Sequence, residues 1–179
     1  METYQDITTA IGTLRVFASS FGLTNLFLMD ENEGMPGSNK LSPTIFKETE
    51  SQLERYFEGE LKKFDLPLDW SGLPPFRQRV LKETAQIPWG ELITYGELAM
   101  RAGSMRAARA AGGALAHNPF LIVVPCHRVI GSDGALHGFS AQGGLKLKQK
   151  LLELEGHKVH NNRIVQKKEV DLGKRKQRL

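Results

Sequence analysis

The sequence predicts a mixed α/β chain of the α+β type, with a small sheet-and-helix domain followed by a larger, mostly helical one. Residues 12–30 (GTLRVFASSFGLTNLFLMD) are rich in β-branched and aromatic side chains on both sides of a glycine, which is typical of a β-hairpin. After residue 76 the apolar residues return with helical spacing. Between the two, residues 65–76 contain three prolines and one glycine, a composition that predicts the connection between two domains.

Length and composition restrict the class of protein. The 179 residues are 40% hydrophobic, enough for one domain or for two small domains that share a surface. The single cysteine excludes an internal disulfide and a thiolate zinc cluster. The longest clean apolar run, residues 120–124, is too short to span a membrane, and residues 1–10 do not resemble a signal peptide. We therefore expect a soluble, cytoplasmic protein.

The net charge of +4 is unevenly distributed along the chain. Acidic residues outnumber basic ones before residue 76, and basic ones predominate after it and in the tail. A polyanion would be attracted to the C-terminal part. A solvated basic surface explains the charge alone at least as well.

In the N-terminal part, the hairpin is expected to turn at Gly22 and to be followed by a loop over residues 34–40. Residues 42–60 predict an amphipathic helix, with Ser42 as its cap and Pro43 in its first turn. The apolar residues that share one side of this helix are Ile45, Phe46, Leu53, Tyr56 and Phe57.

In the C-terminal part, one element is predicted before a helix-turn-helix and two are predicted after it. Residues 76–87 predict a helix that Pro88 ends. Residues 120–124 are a short continuous apolar run that predicts a buried strand. Residues 143–156 predict a last helix, with Gly156 as its stop. Its apolar stripe consists of Leu147, Leu151 and Leu154.

Residues 94–119 have the proportions of a helix-turn-helix. Thr94 and Glu97 form a T-x-x-E capping box that opens the first helix. After a short turn, Ser104 is expected to cap the second helix, which runs to about His117 before an Asn-Pro pair ends it.

The second of these helices combines arginines with unusually small residues. Arg106 and Arg109 are three residues apart and are expected to share a helix face. Gly112 and Gly113 each destabilise a helix interior by about 1 kcal/mol relative to alanine, but they allow a close approach to a partner. Tight helix packing explains the small residues equally well. No acidic residue occurs in residues 99–131, which favours a phosphate backbone as the partner. The arginines of this stretch are Arg101, Arg106, Arg109 and Arg128.

The only cysteine, Cys126, lies between Pro125 and His127 directly after the apolar run. A lone cysteine in such a place is most often a small buried hydrophobe. However, Pro125 puts it at the expected end of a strand, where functional groups tend to emerge. The charges of His127 and Arg128 would lower the pKa of the thiol, and a helical turn beginning at Cys126 would stabilise a thiolate.

A catalytic thiol needs a base, and adjacent side chains point apart, so His127 is expected to act through a water. The carboxylates that could orient this histidine are Asp133, Glu153 and Glu155. A cysteine protease is the obvious rival, with His137, His157 or His160 as its base. A protease leaves the arginine-bearing helix-turn-helix unexplained, whereas a nucleic-acid enzyme with a cysteine nucleophile explains both features.

The chain contains four stretches in the order and spacing of the O6-alkylguanine-DNA alkyltransferases, also called methylated-DNA–protein-cysteine methyltransferases: IPWGELITYGELA, RAARAAGGALAHNP, VPCHRVIGSDG and LLELEG. It resembles this family most strongly from Gly72 to Gly156. Its N-terminal part is similar to the family's smaller ribonuclease-H-like domain. The resemblance therefore implies a ribonuclease-H-like domain over residues 1–70, a DNA-binding and alkyl-transfer domain over 71–157, and a basic tail over 158–179.

The resemblance implies a DNA repair protein whose partner is duplex DNA containing O6-alkylguanine, with O4-alkylthymine as a further candidate. The second helix would enter the minor groove, and the damaged base would be flipped out of the duplex. Cys126 would take the alkyl group irreversibly, so that each molecule acts once, as a monomer and without a cofactor or metal. His127 would deprotonate Cys126 through a water, and Glu155 would orient His127.

The resemblance also implies roles for residues around the flipped base. Arg109 would fill the gap left in the DNA, Tyr95 would assist flipping and bind the guanine, and Asn118 would tie the second helix to the active-site loop. The expected DNA-binding residues are Tyr95, Arg106, Arg109, Asn118 and Arg128. The expected residues of the guanine pocket are Tyr95, Val129, Phe139, Ser140 and Ala141.

The chain departs from the family pattern after the cysteine. Many members have a tyrosine, a small residue and two glycines there, whereas GFSAQGG contains Phe139 and two extra residues. The resemblance leaves open whether the amide of Ser140 or of Ala141 meets the guanine oxygen. Two other interpretations stay open: a protein that recognises alkylguanine without repairing it, which the presence of Cys126 disfavours, and a structural DNA-binding protein with an inert thiol.

Overall fold

The N-terminal part of the chain folds as a three-stranded antiparallel sheet. In this computed structural model, which describes residues 3–30, 37 and 43–165, the strand order is β1-β2-β3. The strands are β1 (Thr3–Thr9), β2 (Gly12–Ser19) and β3 (Gly22–Leu28). The predicted hairpin is confirmed as β2 and β3. The sequence does not predict β1, because TYQDITT contains few large apolar residues.

Helix α1 (Pro43–Phe57) packs against β1. Its predicted apolar side is confirmed, since Phe46, Leu53 and Tyr56 are completely buried. The expected cap, Ser42, lies outside the described residues, as does the expected loop over residues 34–40 apart from its single described glycine.

The proline-rich connection runs beside β3 and pairs with it. The amide of Leu23 donates to Pro67 O and the amide of Asp69 donates to Leu23 O, each over 2.8 Å. Gly22 has a φ of +146°, and a Cβ at this position would lie 2.4 Å from Pro67 O. Glycine is therefore the residue that fits here. The connection ties together the two parts of the chain, whose buried side chains form one continuous core.

The C-terminal part is mostly helical, as predicted. Its helices are α2 (Pro75–Thr84), α3 (Tyr95–Arg101), α4 (Ala108–Ala116) and α5 (Gly144–Leu154). Strand β4 (Ile93–Thr94) pairs in parallel with β5 (Val129–Ile130), and β6 (Val159–His160) forms a hairpin with β7 (Arg163–Ile164). The expected end of α2 near residue 87 is wrong, because the backbone leaves the helix at Ala85, before Pro88.

The predicted basic tail contributes the β6–β7 hairpin at its start, and its residues 166–179 lie outside the described part of the chain. Within that described part, no helix has the length and apolar character needed to cross a membrane.

Helices α3 and α4 form the predicted helix-turn-helix. The capping box is confirmed, since Thr94 Oγ1 accepts from Glu97 N over 3.2 Å and Glu97 Oε2 accepts from Thr94 N over 2.6 Å. The end of α4 at His117 is also as predicted.

The start of α4 is not where the sequence predicts it. The amide of Ser104 donates to Ala99 O and its carbonyl accepts from Ala107 N, so Ser104 belongs to a turn that follows α3. The second helix begins at Ala108, and Ser104 does not cap it. Arg106 precedes the helix, so it does not share a helix face with Arg109.

The apolar run over residues 120–124 is not the predicted strand. It forms consecutive buried turns, and Phe120 alone makes a bridge to β3. Pro119 and Pro125 at its two ends lack the N–H groups that a strand ladder requires. Within the run, Ile122 has a φ of +71°, an uncommon conformation for a β-branched residue. A short apolar run fits a buried turn as well as a strand, so its periodicity could not distinguish them.

Candidate active site

Cys126 opens a 3-10 turn that extends to Arg128, and the cysteine is buried, with 7% of its surface exposed. It therefore begins a helical turn, as one prediction had it, and does not end a strand, as another had it. The amide of Cys126 donates to Val124 O over 2.8 Å, which fixes the turn against the preceding buried loop.

Asn118 follows α4 and holds the thiol from the side of the helix-turn-helix. Its Nδ2 donates to Cys126 Sγ over 3.3 Å and to Val124 O over 3.0 Å. Its Oδ1 accepts from Phe120 N over 3.0 Å. One side chain thus joins the end of α4, the buried loop and the sulfur. A hydrogen bond donated to sulfur favours the thiolate.

Behind the thiol, His127 and Glu155 form a completely buried pair, with Nε2 and Oε1 2.8 Å apart. Although burial raises the pKa of Glu155, hydrogen bonds and positive charge from His127 and Arg128 outweigh this and lower it to about 2. Glu155 is therefore ionised at neutral pH, and Nε2 of His127 must carry the hydrogen that lies between them. Because Nε2 carries this hydrogen, Nδ1 is the nitrogen with the free lone pair, and burial lowers the pKa of the ring. That nitrogen is buried without a hydrogen-bond partner among the described residues.

Arg128 is buried, so its expected contact with DNA is wrong. Its side chain is 6% exposed, and its guanidinium turns inward to Glu155. Nε donates to Oε2 and Nη2 donates to Oε1, each over 2.8 Å, while Nη1 donates to Ile87 O. Because its donors are engaged by a buried carboxylate and a carbonyl, this arginine has no free face for a phosphate.

The pKa of the Cys126 thiol is raised, contrary to the expectation that neighbouring charge would lower it. Burial is the largest cause, and the hydrogen bond from Asn118 and the charge of Lys148 offset it in part. His127 and Arg128, which were expected to lower the pKa of the thiol, are both turned toward Glu155. The thiol is therefore protonated at neutral pH and needs a base in order to react.

The sequence missed two polar side chains of this site. Lys148, in α5, is completely buried, and its Nζ donates to Val129 O over 2.6 Å and to His137 O over 3.2 Å. Burial lowers the pKa of Lys148 to about 8. Tyr56, in α1, donates from its hydroxyl to Glu155 Oε1 over 3.0 Å. The stretch LKLKQK is typical of an exposed helix face, and the spacing around Tyr56 is typical of core, so neither gave a signal.

Two adjoining depressions, of about 630 and 330 Å³, share the walls formed by Ala116, Phe139 and Ser140. Cys126 and Asn118 line the smaller one. The predicted pocket residues found in these walls are Tyr95, Phe139, Ser140 and Ala141.

Two hydrogen bonds hold the walls of these depressions in place. Ser140 Oγ donates to Ala116 O over 2.7 Å, which fixes the loop against the end of α4. The hydroxyl of Tyr95 donates to His137 O over 3.4 Å. Val129 was predicted to line the pocket, but it is not part of these walls, because its side chain is completely buried in β5. Its carbonyl is the part that faces Lys148.

The larger depression is lined by one of two exposed arginines in and just before α4. Arg109, on α4, lines it, and Arg106 lies in the turn that leads into α4. Gly112 of α4 faces the ring of Tyr95, and a Cβ at this position would lie at an ordinary contact distance of 3.7 Å from the ring. Among residues 3–30, 37 and 43–165, no group of three or more His, Cys, Asp or Glu side chains is arranged to hold a metal ion.

Comparison with known proteins matches both parts of the chain to one family. The 6-O-methylguanine DNA methyltransferase ribonuclease-like domain matches residues 3–70, and the DNA binding domain of the same family matches residues 75–157. The methylated-DNA--protein-cysteine methyltransferase of Mycobacterium bovis is 43% identical over 153 residues, which are 85% of this chain and 91% of the relative. That of Methanosarcina acetivorans is 46% identical over 122 residues, or 68% and 76% of the two chains.

Solved structures agree with these matches. Mycobacterium tuberculosis O6-methylguanine methyltransferase superposes with a TM-score of 0.73 at 41% identity, covering 87% of this chain and 93% of that one. Mycobacterium tuberculosis OGT in complex with DNA gives a TM-score of 0.72 at 42% identity, covering 86% and 92%. The resemblance drawn from the sequence motifs is confirmed, and the chain belongs to the 6-O-methylguanine DNA methyltransferase family.

Proposed function

We propose that the protein repairs DNA by moving the methyl group of O6-methylguanine in a duplex onto its own Cys126. The observation that carries this proposal is the arrangement around the thiol. A buried cysteine has a histidine–carboxylate pair behind it and a depression beside it. The exposed Arg109 lines a second depression that adjoins it. The names of the relatives, methylated-DNA--protein-cysteine methyltransferases, support the same reaction.

His127 is the base that activates the thiol. Its Nδ1 carries the free lone pair, because Nε2 donates to ionised Glu155. The proton of Cys126 passes to Nδ1 through a water, since neighbouring side chains point apart. Glu155 holds the imidazole in this tautomer and stabilises the imidazolium that forms. A positioned base of this kind speeds a reaction about 10²- to 10⁴-fold.

The thiolate attacks the methyl carbon in line with the bond to O6. A sulfur–carbon bond forms as the carbon–oxygen bond breaks, and the electron pair of the broken bond passes to the guanine, which takes up a proton. One thiol and one O6-methylguanine thus give one thioether and one guanine, and no cofactor enters the balance. The thioether is stable, so each molecule of protein reacts once.

Helix α4 is the element that enters the minor groove, because its alanines and glycines allow a close approach to the DNA. Arg109 takes the place of the flipped guanine, since a planar guanidinium can stack and hydrogen-bond where a base was. Arg106 contacts a phosphate from the turn before the helix. Tyr95 crowds the backbone and binds the extruded base, and Asn118 links α4 to the thiol.

The flipped base occupies the two adjoining depressions, whose walls include Tyr95, Phe139, Ser140 and Ala141. The amide of Ser140 or of Ala141 meets the O6 atom. Methylated guanine pairs poorly, so extruding it costs less than extruding a normal base, and this supplies part of the selectivity. O4-methylthymine presents the same type of methyl ether and is a further candidate. We infer that the protein acts as a monomer in the cytoplasm, on the nucleoid if the cell is prokaryotic and in the nucleus if it is eukaryotic.

Single-turnover kinetics test this function. The protein is mixed with an excess of duplex that carries one O6-methylguanine with a labelled methyl group, and the label in the protein is followed. We expect transfer to stop at one methyl group per molecule, and Cys126→Ser to bind the duplex without transfer. Transfer by Cys126→Ser would refute the nucleophile. Tight binding by the wild type without transfer would indicate a lesion-recognition protein, and neither binding nor transfer would indicate an inert buried thiol.

A further inference from the structure

A tyrosine from the N-terminal part of the chain reaches the carboxylate behind the active-site histidine. The hydroxyl of Tyr56 donates to Glu155 Oε1 over 3.0 Å and lies 3.5 Å from His127 Nε2. Tyr56 is completely buried, so no solvent competes for this contact. Oε1 is the same oxygen that accepts the hydrogen bond of His127.

The ring of Tyr56 is held in place by other aromatic side chains. The ring centroids of Phe57, Phe64 and Trp89 lie 5.3, 5.2 and 5.2 Å from that of Tyr56. Trp89 lies in the C-terminal part, so the ring is clamped between the two parts of the chain. The hydroxyl is therefore directed at Glu155 by packing, and this orientation does not depend on the hydrogen bond alone.

Glu155 is already neutralised without the tyrosine. Arg128 donates to both of its oxygens, and the amide of Gly90 donates to Oε2 over 3.3 Å. The phenol does not act as an acid or base, because burial, together with the charge of Glu155, raises the pKa of Tyr56. Its contribution is a permanent neutral donor on the oxygen that faces His127. Such a donor fixes the direction of that oxygen and withdraws charge from it.

We propose that Tyr56 is a positioning residue, through which the N-terminal domain aligns Glu155 with His127 for activation of the Cys126 thiol. This inference rests on the proposed function and assigns the N-terminal domain a part in it. It also accounts for a buried hydroxyl at a core position of α1, where a phenylalanine would fill the same space.

Tyr56→Phe tests this role because it keeps the ring and removes the donor. Four other hydrogen bonds to Glu155 are left, so the variant is expected to stay folded. Without the phenol, Oε1 carries more charge and favours the imidazolium form of His127. The groups that also act on this titration are Glu155, Arg128 and Lys148, and the variant leaves all of them in place.

The probe is iodoacetamide, which alkylates the only thiol of the chain and requires no DNA. DNA repair by the wild type is measured separately on the methylated duplex. A failure of the proposed repair function can therefore be distinguished from a failure of the proposed role of Tyr56. The rate of Cys126 alkylation is measured against pH, and the titration of the His127 ring is followed by ¹⁵N NMR. Tyr4→Phe, which removes a phenol from β1 of the same domain, is the matched control.

We expect Tyr56→Phe to slow alkylation about tenfold, the size of one hydrogen bond to a charged group, because the loss of alignment between Glu155 and His127 outweighs the greater basicity of the imidazole. We also expect it to move the titration of His127 to higher pH, while Tyr4→Phe changes neither. Two results would overturn the inference. One is an alkylation rate and a titration equal to those of Tyr4→Phe. The other is a slower rate with an unchanged His127 titration, which would indicate that the hydroxyl serves packing alone.

Discussion

Arg128 and Glu155 form a bidentate ion pair in the interior, with Nε to Oε2 and Nη2 to Oε1 both at 2.8 Å. An arginine adjacent to an active-site histidine in sequence therefore serves the carboxylate that orients this histidine. Two charges that are removed from water in this way stabilise the fold only while both are present.

Replacing Arg128 is expected to lower the stability of the fold and to have less effect on the affinity for DNA. Arg128→Ala leaves the Glu155 carboxylate buried without its cation, and we expect the free energy of unfolding to fall by about 3–5 kcal/mol. Urea unfolding measures this loss. Arg106→Ala is the control, because that side chain is exposed. We expect Arg106→Ala to keep its stability and to flatten the salt dependence of DNA binding by about one phosphate contact. The reverse pattern would place Arg128 at the DNA.

Glu155 makes the stability of the fold depend on pH. Its pKa in the folded state, about 2, lies below its ordinary value of 4.5. The folded state therefore holds its proton less tightly than the unfolded state does, and the stabilisation is present above pH 4.5 and lost as the pH falls toward 2. We expect Glu155→Gln to be less stable than the wild type at pH 7 by on the order of 3 kcal/mol.

The test is urea unfolding of both proteins between pH 7 and pH 2. The difference between wild type and Glu155→Gln should shrink steadily below pH 4.5. A difference that stays constant over this range would show that the carboxylate is not held in its ionised form by the fold.

Arg109 is expected to matter for extruding the base and not for the chemistry at sulfur. Arg109→Ala removes the side chain that takes the place of the flipped guanine, so repair of O6-methylguanine in a duplex should slow by at least tenfold, on the scale of a hydrogen bond to a charged group. The reaction of Cys126 with the free methylated base should be unaffected. Rates on the two substrates, measured in parallel, decide the matter, and equal losses on both would argue against a role in flipping.

Gly22 is expected to be irreplaceable for structural reasons. In Gly22→Ala, the new Cβ would lie 2.4 Å from Pro67 O, and the φ of +146° strains any side chain. We expect a loss of roughly 3 kcal/mol or more in the free energy of unfolding. Gly59→Ala is the matched control, because Gly59 also has a positive φ, +76°, but nothing lies within 4 Å of the added atom. It should lose only about 1 kcal/mol, and equal losses in the two variants would contradict the clash.

The sequence predicts those parts of the fold and site that depend on nearby residues. The capping box of Thr94 and Glu97 is a local pattern with a local cause, and it appears as predicted. Cys126 and His127 stand out because a thiol, an imidazole and a proline are adjacent in a chain with one cysteine. Asn118 was named from the family resemblance, and the structure brings it to the sulfur.

The sequence does not predict features that depend on the direction of a side chain or on contacts between residues far apart in the chain. Arg128 turns inward because Glu155, far along the chain, satisfies its guanidinium, and no local pattern reports this. Tyr56 and Lys148 occupy ordinary helical positions, and their hydroxyl and amino groups acquire a role only when α1 and α5 pack beside the active-site turn. Residues 120–124 form turns because tertiary burial, and not strand pairing, satisfies a short apolar run between two prolines.

The most direct test of the central claim is the mass of the protein after reaction with a duplex that carries one O6-methylguanine. Intact mass and peptide mapping should show one added methyl group, in place of a hydrogen, on the peptide that contains Cys126. A protein of unchanged mass after prolonged incubation, or a methyl group found on any other residue, would contradict the assignment of Cys126 as the acceptor.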